Sequence, residues 1–219
     1  MKLAELLNLT RIELDDVVEP FLWSDDELME YANDAQQEAC RRGRLIVDST
    51  TSAICSITLV ANTASYDLDP RVIRINRIRL TGDTYPLRPM MVRDLDAQAP
   101  GWEDWSEAPT IWVPDWQTGK VRFVGNPKAA GTANLTVVRL PLADMNDPDD
   151  SIEIRAEYQR SLRHWIAFRA WSKRDSETFN AKSAAGALAL FEQEFGRKQG
   201  AYDEQWMTQY YTGSEDGRY

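Results

Sequence analysis

The chain has 219 residues, of which 43% are apolar and 27% are charged, a balance typical of an ordinary folded protein. This balance excludes wholesale disorder. The length of the chain suits one large domain or two modest ones. The 35 acidic side chains outnumber the 25 basic ones, for a formal charge of −10. Since binding to DNA phosphates needs clustered Lys and Arg, this charge disfavours a protein that grips DNA.

Cysteine and histidine usage limits the chemistry further. Cys40 and Cys55 are the two cysteines, no CxxC pair exists, and His164 is the single histidine. This excludes structural zinc, and we predict neither a metal nor a cofactor. Spacing leaves a disulfide between the cysteines open, although two thiols in a chain of this length favour a reducing compartment and buried cysteines.

Neither an export signal nor a membrane span is expected. Acidic and polar residues interrupt positions 1–16 before an apolar core of signal-peptide length develops. Nowhere do about 18 apolar residues run together, so the sequence predicts no membrane span.

The N-terminal part predicts two helices. The first runs from Leu3 to about Asp15 and ends before the Glu19-Pro20 break. The second begins with Ser24 as N-cap, Glu27 as the capping-box acid and Trp23 placed to pack on Leu28.

That second helix should continue to about Arg44. Its apolar stripe is narrow and contains alanines that permit close helix approach. The stripe residues are Leu28, Tyr31, Ala35 and Ala39. Arg41, Arg42 and Arg44 complement the helix dipole at its C-terminal end, a structural role that we favour over binding of phosphate.

Between about Ser52 and Leu142 the apolar period changes to two, which predicts a β-rich region. The candidate strands are Ile54–Val60, Ser65–Leu68, Val72–Leu80, Ile111–Val113, Val121–Val124 and Leu135–Leu140. In the third of them the phase of the isoleucines changes, which predicts a β-bulge between Asn76 and Arg77. Hairpin turns are expected at 115–119 and 126–131, and a short helix at Val92–Ala97.

Two polar or aromatic loops suggest ligand sites, but both have simpler interpretations. Trp102 and Trp105 lie between prolines in the irregular segment 86–109 and could stack on a sugar or a base. Tryptophans in a long loop more often pin that loop to a sheet or fill a subunit interface. The acidic run Asp144–Asp150 offers oxygen ligands for calcium, but it lacks the glycine and the terminal glutamate of an EF-hand loop, so a solvated linker is the favoured interpretation.

The C-terminal part predicts two more helices. The third begins between Asp150 and Arg155 and runs to about Lys173, and its apolar side chains leave almost no polar side, so it should pack against the other three helices and against a neighbouring subunit. The dense aromatic and alanine residues of 158–195 as a whole predict an assembly surface. His164 lies within it, and a packed or hydrogen-bonded histidine is favoured over a general base. The fourth helix starts after Asn180, and Gly196 and Gly200 should interrupt it.

The final residues, Ala201–Tyr219, are unusually aromatic for a chain terminus. The candidate binding residues are Tyr202, Trp206, Met207, Tyr210 and Tyr211. Chain ends fray unless they are tied down, so either docking on a partner protein or packing on the chain's own domain would explain them. The two alternatives stay open.

Three blocks, in this order, resemble the head-to-tail connector (adaptor) proteins of tailed phages. They are WSDDELMEYANDAQQEACRRGRLI (23–46), SYDLDPRVIRINRIRL (65–80) and EYQRSLRHWIAFRAWSKRDSETFNAKSAAGALALFEQEFG (157–196). The resemblance covers about Leu3 to Gly196. Each block is a pattern of aromatic, Ala and Arg positions without a chemical signature.

The resemblance implies an α+β fold. The helices of 1–50 and 150–200 would form one helical bundle, and 51–149 would be an inserted antiparallel β-sandwich-like domain. It also implies a homo-oligomeric ring of twelve copies beneath the portal protein, which extends the DNA channel and presents a platform to a downstream tail protein, a nozzle or tail-completion protein. Residues 201–219 would be the portal-binding arm, and Trp102, Trp105 and Trp116 would lie in a tail-facing or inter-subunit loop.

Such a connector would be a structural virion protein made in the host cytoplasm. DNA would pass through it without sequence-specific binding, and it would be neither an enzyme nor a membrane protein. Two alternatives from other classes remain at this point. One is a tail-associated carbohydrate-binding module that uses Trp102, Trp105, Trp112 and Trp116. The other is an enzyme acting on nucleic acid or a glycan that uses the carboxylates of Asp94, Asp96 and Glu103.

Overall fold

The computed structural model of the chain describes residues 1–175, 177–198 and 200. The described chain divides into two compact units. The first combines Met1–Ile46 with Leu140–Lys198, and the second contains Val47–Arg139. The fold is α+β, with helices in the first unit and two sheets in the second.

The helices and strands are numbered in chain order. The helices are α1 (Leu3–Leu14), α2 (Asp25–Gly43), α3 (Ser52–Cys55), α4 (Val92–Gln98), α5 (Ala156–Gln159), α6 (Leu162–Ser172) and α7 (Ala181–Phe195), with a 3₁₀ turn at Trp102–Asp104. The strands are β1 (Val47–Asp48), β2 (Ser56–Leu59), β3 (Ser65–Asp67), β4 (Val72–Leu80), β5 (Arg88–Pro89), β6 (Ile111–Gln117), β7 (Lys120–Val124) and β8 (Gly131–Arg139).

Helix α6 lies at the centre of the first unit, in contact with α1, α2 and α7. This confirms the prediction that the helix would pack against the other three. Close approach is possible because alanines occupy the contact surfaces: Ala35 and Ala39 of α2 and Ala167 and Ala170 of α6 are fully buried. Leucines from α1 and phenylalanines from α7 complete the same core.

The start of α2 agrees with its sequence signal in one part and differs in another. The Ser24 Oγ accepts a hydrogen bond from the Glu27 backbone N–H at 3.2 Å, so Ser24 is the N-cap. Glu27 does not complete the capping box: its carboxylate accepts hydrogen bonds from the Tyr31 hydroxyl and the Lys173 ammonium. A cation directly after α6 thus competes for the carboxylate, which sequence spacing could not show.

The predicted third helix is divided into α5 and α6, with a break at Arg160 and Ser161. Helix α7 begins where predicted, because the Asn180 side chain caps it by accepting from the Ser183 backbone N–H. It ends at Phe195, and Gly196 follows with a φ of +85°, a conformation that favours glycine. The predicted interruption at Gly196 is confirmed.

The second unit contains two four-stranded sheets. In the first, β8 pairs antiparallel with β1 and β2 along one edge and with β4 along the other. The second sheet has the order β3-β7-β6-β5. Apolar side chains of both sheets meet in one core that includes Ile78, Leu135, Trp112 and Phe123, each at most 1% exposed.

The register of β4 shifts between Ile75 and Arg77, which confirms the predicted bulge at Asn76. Because the bulge inserts one residue, Ile75 and Ile78 both enter the core, although strict alternation would separate them. Arg77 and Arg79 are consequently both exposed.

Other β-region predictions were wrong in detail. Residues 126–131 do not form a hairpin turn, because β7 and β8 belong to different sheets and the segment connects them. Ile54 lies in α3 rather than in a strand, and β5 pairs parallel with β6, so the sheets are not wholly antiparallel. The turn at 118–119 between β6 and β7 is a hairpin, as predicted.

A buried ion pair joins the two ends of the second unit. The Arg139 guanidinium donates to the Asp48 carboxylate at 2.7 Å, and both side chains are 6% exposed. Thr50 and Thr51 also donate to Asp48. Burial alone would raise the pKa of Asp48, but these hydrogen bonds outweigh burial and hold the pKa well below its ordinary value.

Candidate interaction surfaces

The aromatic residues of α6 and α7 pack chiefly within the chain. Phe191 is fully buried, and its ring centroid lies 5.0 Å from that of Trp165 and 4.6 Å from that of Phe195. Phe168 contacts Trp165 at 5.3 Å. These side chains form the core between helices and are therefore not the main surface that is open to a partner.

Arg42 closes this aromatic cluster from α2. Its guanidinium lies 5.2 Å from the Trp165 ring centroid and 5.3 Å from that of Phe191. It also pairs with Glu38 at 2.8 Å, and its side chain is 5% exposed. The structural role predicted for the arginines at this helix end is confirmed for Arg42, because so buried a group cannot hold an external phosphate.

The candidate loop tryptophans have different environments. Trp102 is 2% exposed and donates from Nε1 to Asp96 at 2.9 Å, whereas Trp105 is 41% exposed. Trp116 meets Trp102 edge to face at 5.8 Å, and Arg122 lies over the Trp116 ring at 4.3 Å. The structure thus brings Trp102 and Trp116 together, and Trp105 is the one of the three with an exposed ring.

The carbohydrate-binding alternative needs a row of open aromatic faces. Trp112 is 1% exposed and lies in the core of the second unit, and Trp102 is also buried. Two of the four proposed stacking residues are therefore closed to a sugar.

The candidate binding residues of the tail, Tyr202, Trp206, Met207, Tyr210 and Tyr211, lie outside the described residues. Their role stays a prediction.

The carboxylates of the enzyme alternative do not converge on a reaction site. Asp96 accepts from Trp102, and Asp94 lies beside Arg93 at 3.3 Å on the surface of α4. Glu103 belongs to the 3₁₀ turn, where its carbonyl oxygen accepts from the Arg122 guanidinium.

His164 links two helices. Its Nδ1 lies 3.0 Å from the Glu13 carboxylate, and the neighbouring Arg163 guanidinium lies 3.1 Å from the same carboxylate. The pair joins α1 to α6, which confirms a hydrogen-bonded histidine.

The acidic run 144–150 is largely exposed, as a solvated linker would be, but it is attached at both ends. Met145 docks on α2, and the carbonyl groups of Pro148 and Asp150 accept from backbone N–H groups at the start of α1. Asn33 exchanges two hydrogen bonds with the backbone of Met145, which is 3% exposed. Asp150 accepts the backbone N–H groups of Asn146 and Asp147, and these bonds lower its pKa. Among residues 1–175, 177–198 and 200, no group of three or more His, Cys, Asp or Glu side chains is placed to hold a metal ion.

The connection between α1 and α2 forms the most open apolar surface of the first unit. Val18 is 75% exposed, Val17 57% and Leu22 49%, and Ile12 in the last turn of α1 is 67% exposed beside them. Phe21, at 39%, belongs to the same stretch. The helical periodicity of the sequence predicted no role for this segment; the signal that could have identified it is a cluster of apolar residues outside either helical stripe.

This loop is held in one conformation by Arg11. The guanidinium pairs with Asp16 at 2.6 Å, where the two side chains are 8% and 2% exposed, and with Asp25 at 2.6 Å. Asp16 accepts the backbone N–H of Leu22, and Arg11 lies over the Phe21 ring at 3.9 Å. A loop fixed by buried charges loses little conformational entropy when it binds a partner.

Within the described ranges, no helix is long and apolar enough to cross a membrane. Cys40 and Cys55 are both buried and are not joined by a disulfide.

The described residues thus combine a buried aromatic core between helices with an exposed apolar loop. A profile of the SU10 adaptor protein family matches residues 1–213, so the chain belongs to that family. Membership gives it a structural role as a phage adaptor in the virion, implies contact with portal and tail proteins, and implies that it is not an enzyme. No curated protein matches the chain.

Proposed function

We propose that the chain is the head-to-tail adaptor of a tailed phage. Copies of it bind the portal as a ring of twelve, extend the DNA channel and provide the platform on which a downstream tail protein attaches. The observation that carries this proposal is the family match over residues 1–213. It is supported by the exposed apolar residues of 12–22, which lie in the last turn of α1 and in the α1–α2 loop, because contiguous exposed apolar surface marks interaction sites.

The domain arrangement of this adaptor follows from the same proposal. Helices of 1–50 and 150–200 make a bundle, and 51–149 carries the inserted β-sandwich, whose described strands lie within Val47–Arg139. Residues 201–219 are the portal-binding arm, with binding energy concentrated in Tyr202, Trp206, Met207, Tyr210 and Tyr211. The loop of Trp102, Trp105 and Trp116 faces the tail or a neighbouring subunit, and the exposed ring of Trp105 supports this assignment.

The charge of the chain suits a channel through which DNA moves. A formal charge of −10 gives no net attraction to phosphate, so DNA passes without sequence-specific binding. The protein would be made in the host cytoplasm and incorporated during virion assembly.

Mixing the purified chain with assembled portal of the same phage and imaging the product tests this function. We expect a closed ring on the portal. Deletion of 201–219 should leave a folded protein that no longer docks, and unchanged docking of the truncated chain would disprove the arm assignment while leaving ring formation to be judged from the full chain.

A further inference from the structure

One surface of the first unit is both apolar and strongly acidic. Residues 12–30 contain eight acidic side chains and no Lys or Arg. Four of the eight are paired within the chain: Glu13, Asp16, Asp25 and Glu27. The other four are exposed and have no side-chain hydrogen bond or ion pair within the described chain: Asp15, Glu19, Asp26 and Glu30. Together with Val17, Val18 and Leu22 they make up what we call the acidic loop surface.

A cleft extends this surface along α2. It has a volume of about 300 Å³ and lies between α2 and residues 144–146. Its lining combines the carboxylates of Asp26 and Glu30 with the apolar side chains of Met29 and Met145. The other lining residues are polar or acidic, Asn33, Asp34, Gln37, Asp144 and Asn146. An acidic cleft with two methionines in its lining fits an arginine, whose guanidinium binds carboxylates in a bidentate geometry, or the ring of a tyrosine, whose hydroxyl can donate to a carboxylate.

The second unit carries a surface of the opposite sign. Residues 69–93 contain six basic side chains and two acidic ones, although the whole chain is acidic. The bulge in β4 places Arg77 and Arg79 on its exposed face, and Arg88 of β5 is also exposed. Tyr85, in the connection between β4 and β5, is 80% exposed. We call these four residues the basic strand surface.

The three arginines of this surface, Arg77, Arg79 and Arg88, are not engaged by other described residues of the chain. Their guanidinium groups form no ion pair or hydrogen bond with any residue that the structure describes. By contrast, Arg71 in the same stretch pairs with Asp69 at 2.8 Å. Arg and Tyr are the residue types that contribute most to binding energy at protein interfaces.

We propose that the basic strand surface of one copy docks on the acidic loop surface of the next copy in the ring. Arg77 and Arg79 face the unpaired carboxylates, and Tyr85 enters the cleft on α2. The inference rests on the proposed function, because a closed ring needs two different, mutually complementary surfaces on each copy. Double-stranded DNA would match the basic strand surface alone and would leave the acidic loop surface without a partner.

Two charge-reversal variants test the contact. One replaces Glu19 and Asp26 with Lys; these carboxylates are chosen because neither holds the loop in place. The other replaces Arg77 and Arg79 with Glu. Each variant alone should assemble on the portal at least about tenfold more weakly than the unchanged chain, because like charges then face each other at every junction.

An equimolar mixture of the two variants should restore the ring. Copies then alternate, so that a basic loop surface meets an acidic strand surface and an acidic loop surface meets a basic strand surface. Restoration by mixing separates a direct contact from misfolding, since two unfolded variants would not rescue each other. Matched controls are Glu177→Lys with Glu194→Lys and Arg160→Glu with Lys182→Glu, which reverse equally exposed charges elsewhere and should assemble normally.

Assembly of either variant alone at the unchanged level would overturn the inference, and so would failure of the mixture. Normal assembly of the Arg77→Glu, Arg79→Glu variant with loss of binding to duplex DNA would assign the arginines to nucleic acid instead. The proposed function is judged separately: if the unchanged chain does not dock on the portal, the adaptor proposal fails, whereas docking of every variant rejects only this contact.

Discussion

The α6–α7 region and the α1–α2 loop differ in what their apolar residues do. The helices hold the denser aromatic sequence, yet Phe191 and Phe195 are at most 4% exposed. The loop contains fewer aromatic residues, but its apolar side chains are open to solvent: Val17 and Val18 are more than half exposed. Aromatic density in α7 therefore marks the core of the first unit, and we place the partner-binding surface at the short apolar loop that buried charge holds.

Removal of an aromatic side chain from the helical core should have the largest effect on stability. Phe191→Ala deletes a fully buried ring that contacts Trp165 and Phe195, and it should lower the free energy of unfolding by about 4 kcal/mol. Urea unfolding of the full chain measures the change. Leu190→Ala, at a neighbouring site that is 48% exposed, is the control and should cost about 0.5 kcal/mol or less. Equal costs at the two sites would contradict the assignment of core and surface.

The anchor of the loop should come next. Arg11→Met keeps much of the side-chain volume but leaves the Asp16 carboxylate buried without its cation, at a cost of about 3 kcal/mol. Urea unfolding again gives the value, and amide hydrogen exchange of residues 15–24 should become faster. Lys2→Met removes one partner of an exposed ion pair with Asp149 and should change stability by less than about 1 kcal/mol. Unaltered exchange in the loop would show that Arg11 does not hold it.

Loss of the buried Asp48–Arg139 ion pair in the second unit should lower stability without affecting assembly on the portal. Asp48→Asn should cost about 2 kcal/mol at neutral pH, because Asp48 is ionised and bonded to Arg139 in the folded chain. Its pKa is lowered on folding, so the stability that it contributes is present above the unfolded pKa of about 4 and is lost as the pH falls below that value.

Urea midpoints at pH 7 and pH 3 test this sign. The difference in urea midpoint between the unchanged chain and Asp48→Asn should be smaller at pH 3 than at pH 7. A gap that widens in acid would contradict the ionised state of Asp48. Assembly on the portal at pH 7 should be retained by the folded variant, in contrast to a change in the loop.

The smallest effect on stability is expected at the loop surface itself. Val17→Ser with Val18→Ser should change the free energy of unfolding by about 0.5 kcal/mol or less, since both side chains are largely exposed. Assembly on the portal should nevertheless weaken, as measured by ring occupancy in electron micrographs. Val47→Ser with Val60→Ser, at valines of similar exposure in the second unit, should assemble normally. Equal assembly of both double variants would show that the α1–α2 loop does not belong to the interface.

Local sequence signals predicted much of the fold. Ser24 and Asn180 cap their helices, and Val72–Leu80 is a strand with its bulge at Asn76, because each feature is determined by residues close in sequence. Strand pairing was less predictable. The connection at 126–131 joins two sheets, and no property of its residues distinguishes that path from a hairpin.

The interaction surface was harder to predict than the fold. Exposure of Val18 depends on where Arg11, Asp16 and Asp25 meet, which needs the relative placement of two helices. The aromatic pattern of α6 and α7 was interpreted as an assembly surface, whereas burial shows that these residues mostly pack within the chain. A sequence shows that a side chain is apolar, but tertiary packing decides whether it stays exposed.

The central claim is that this adaptor closes a ring on the portal through its α1–α2 loop. Cryo-electron microscopy of the purified full chain mixed with assembled portal of the same phage tests it most directly. We expect a closed ring of adaptor copies with residues 15–24 at each boundary between neighbours. Undecorated portals beside monomeric chain, or a ring in which this loop faces solvent, would contradict the account.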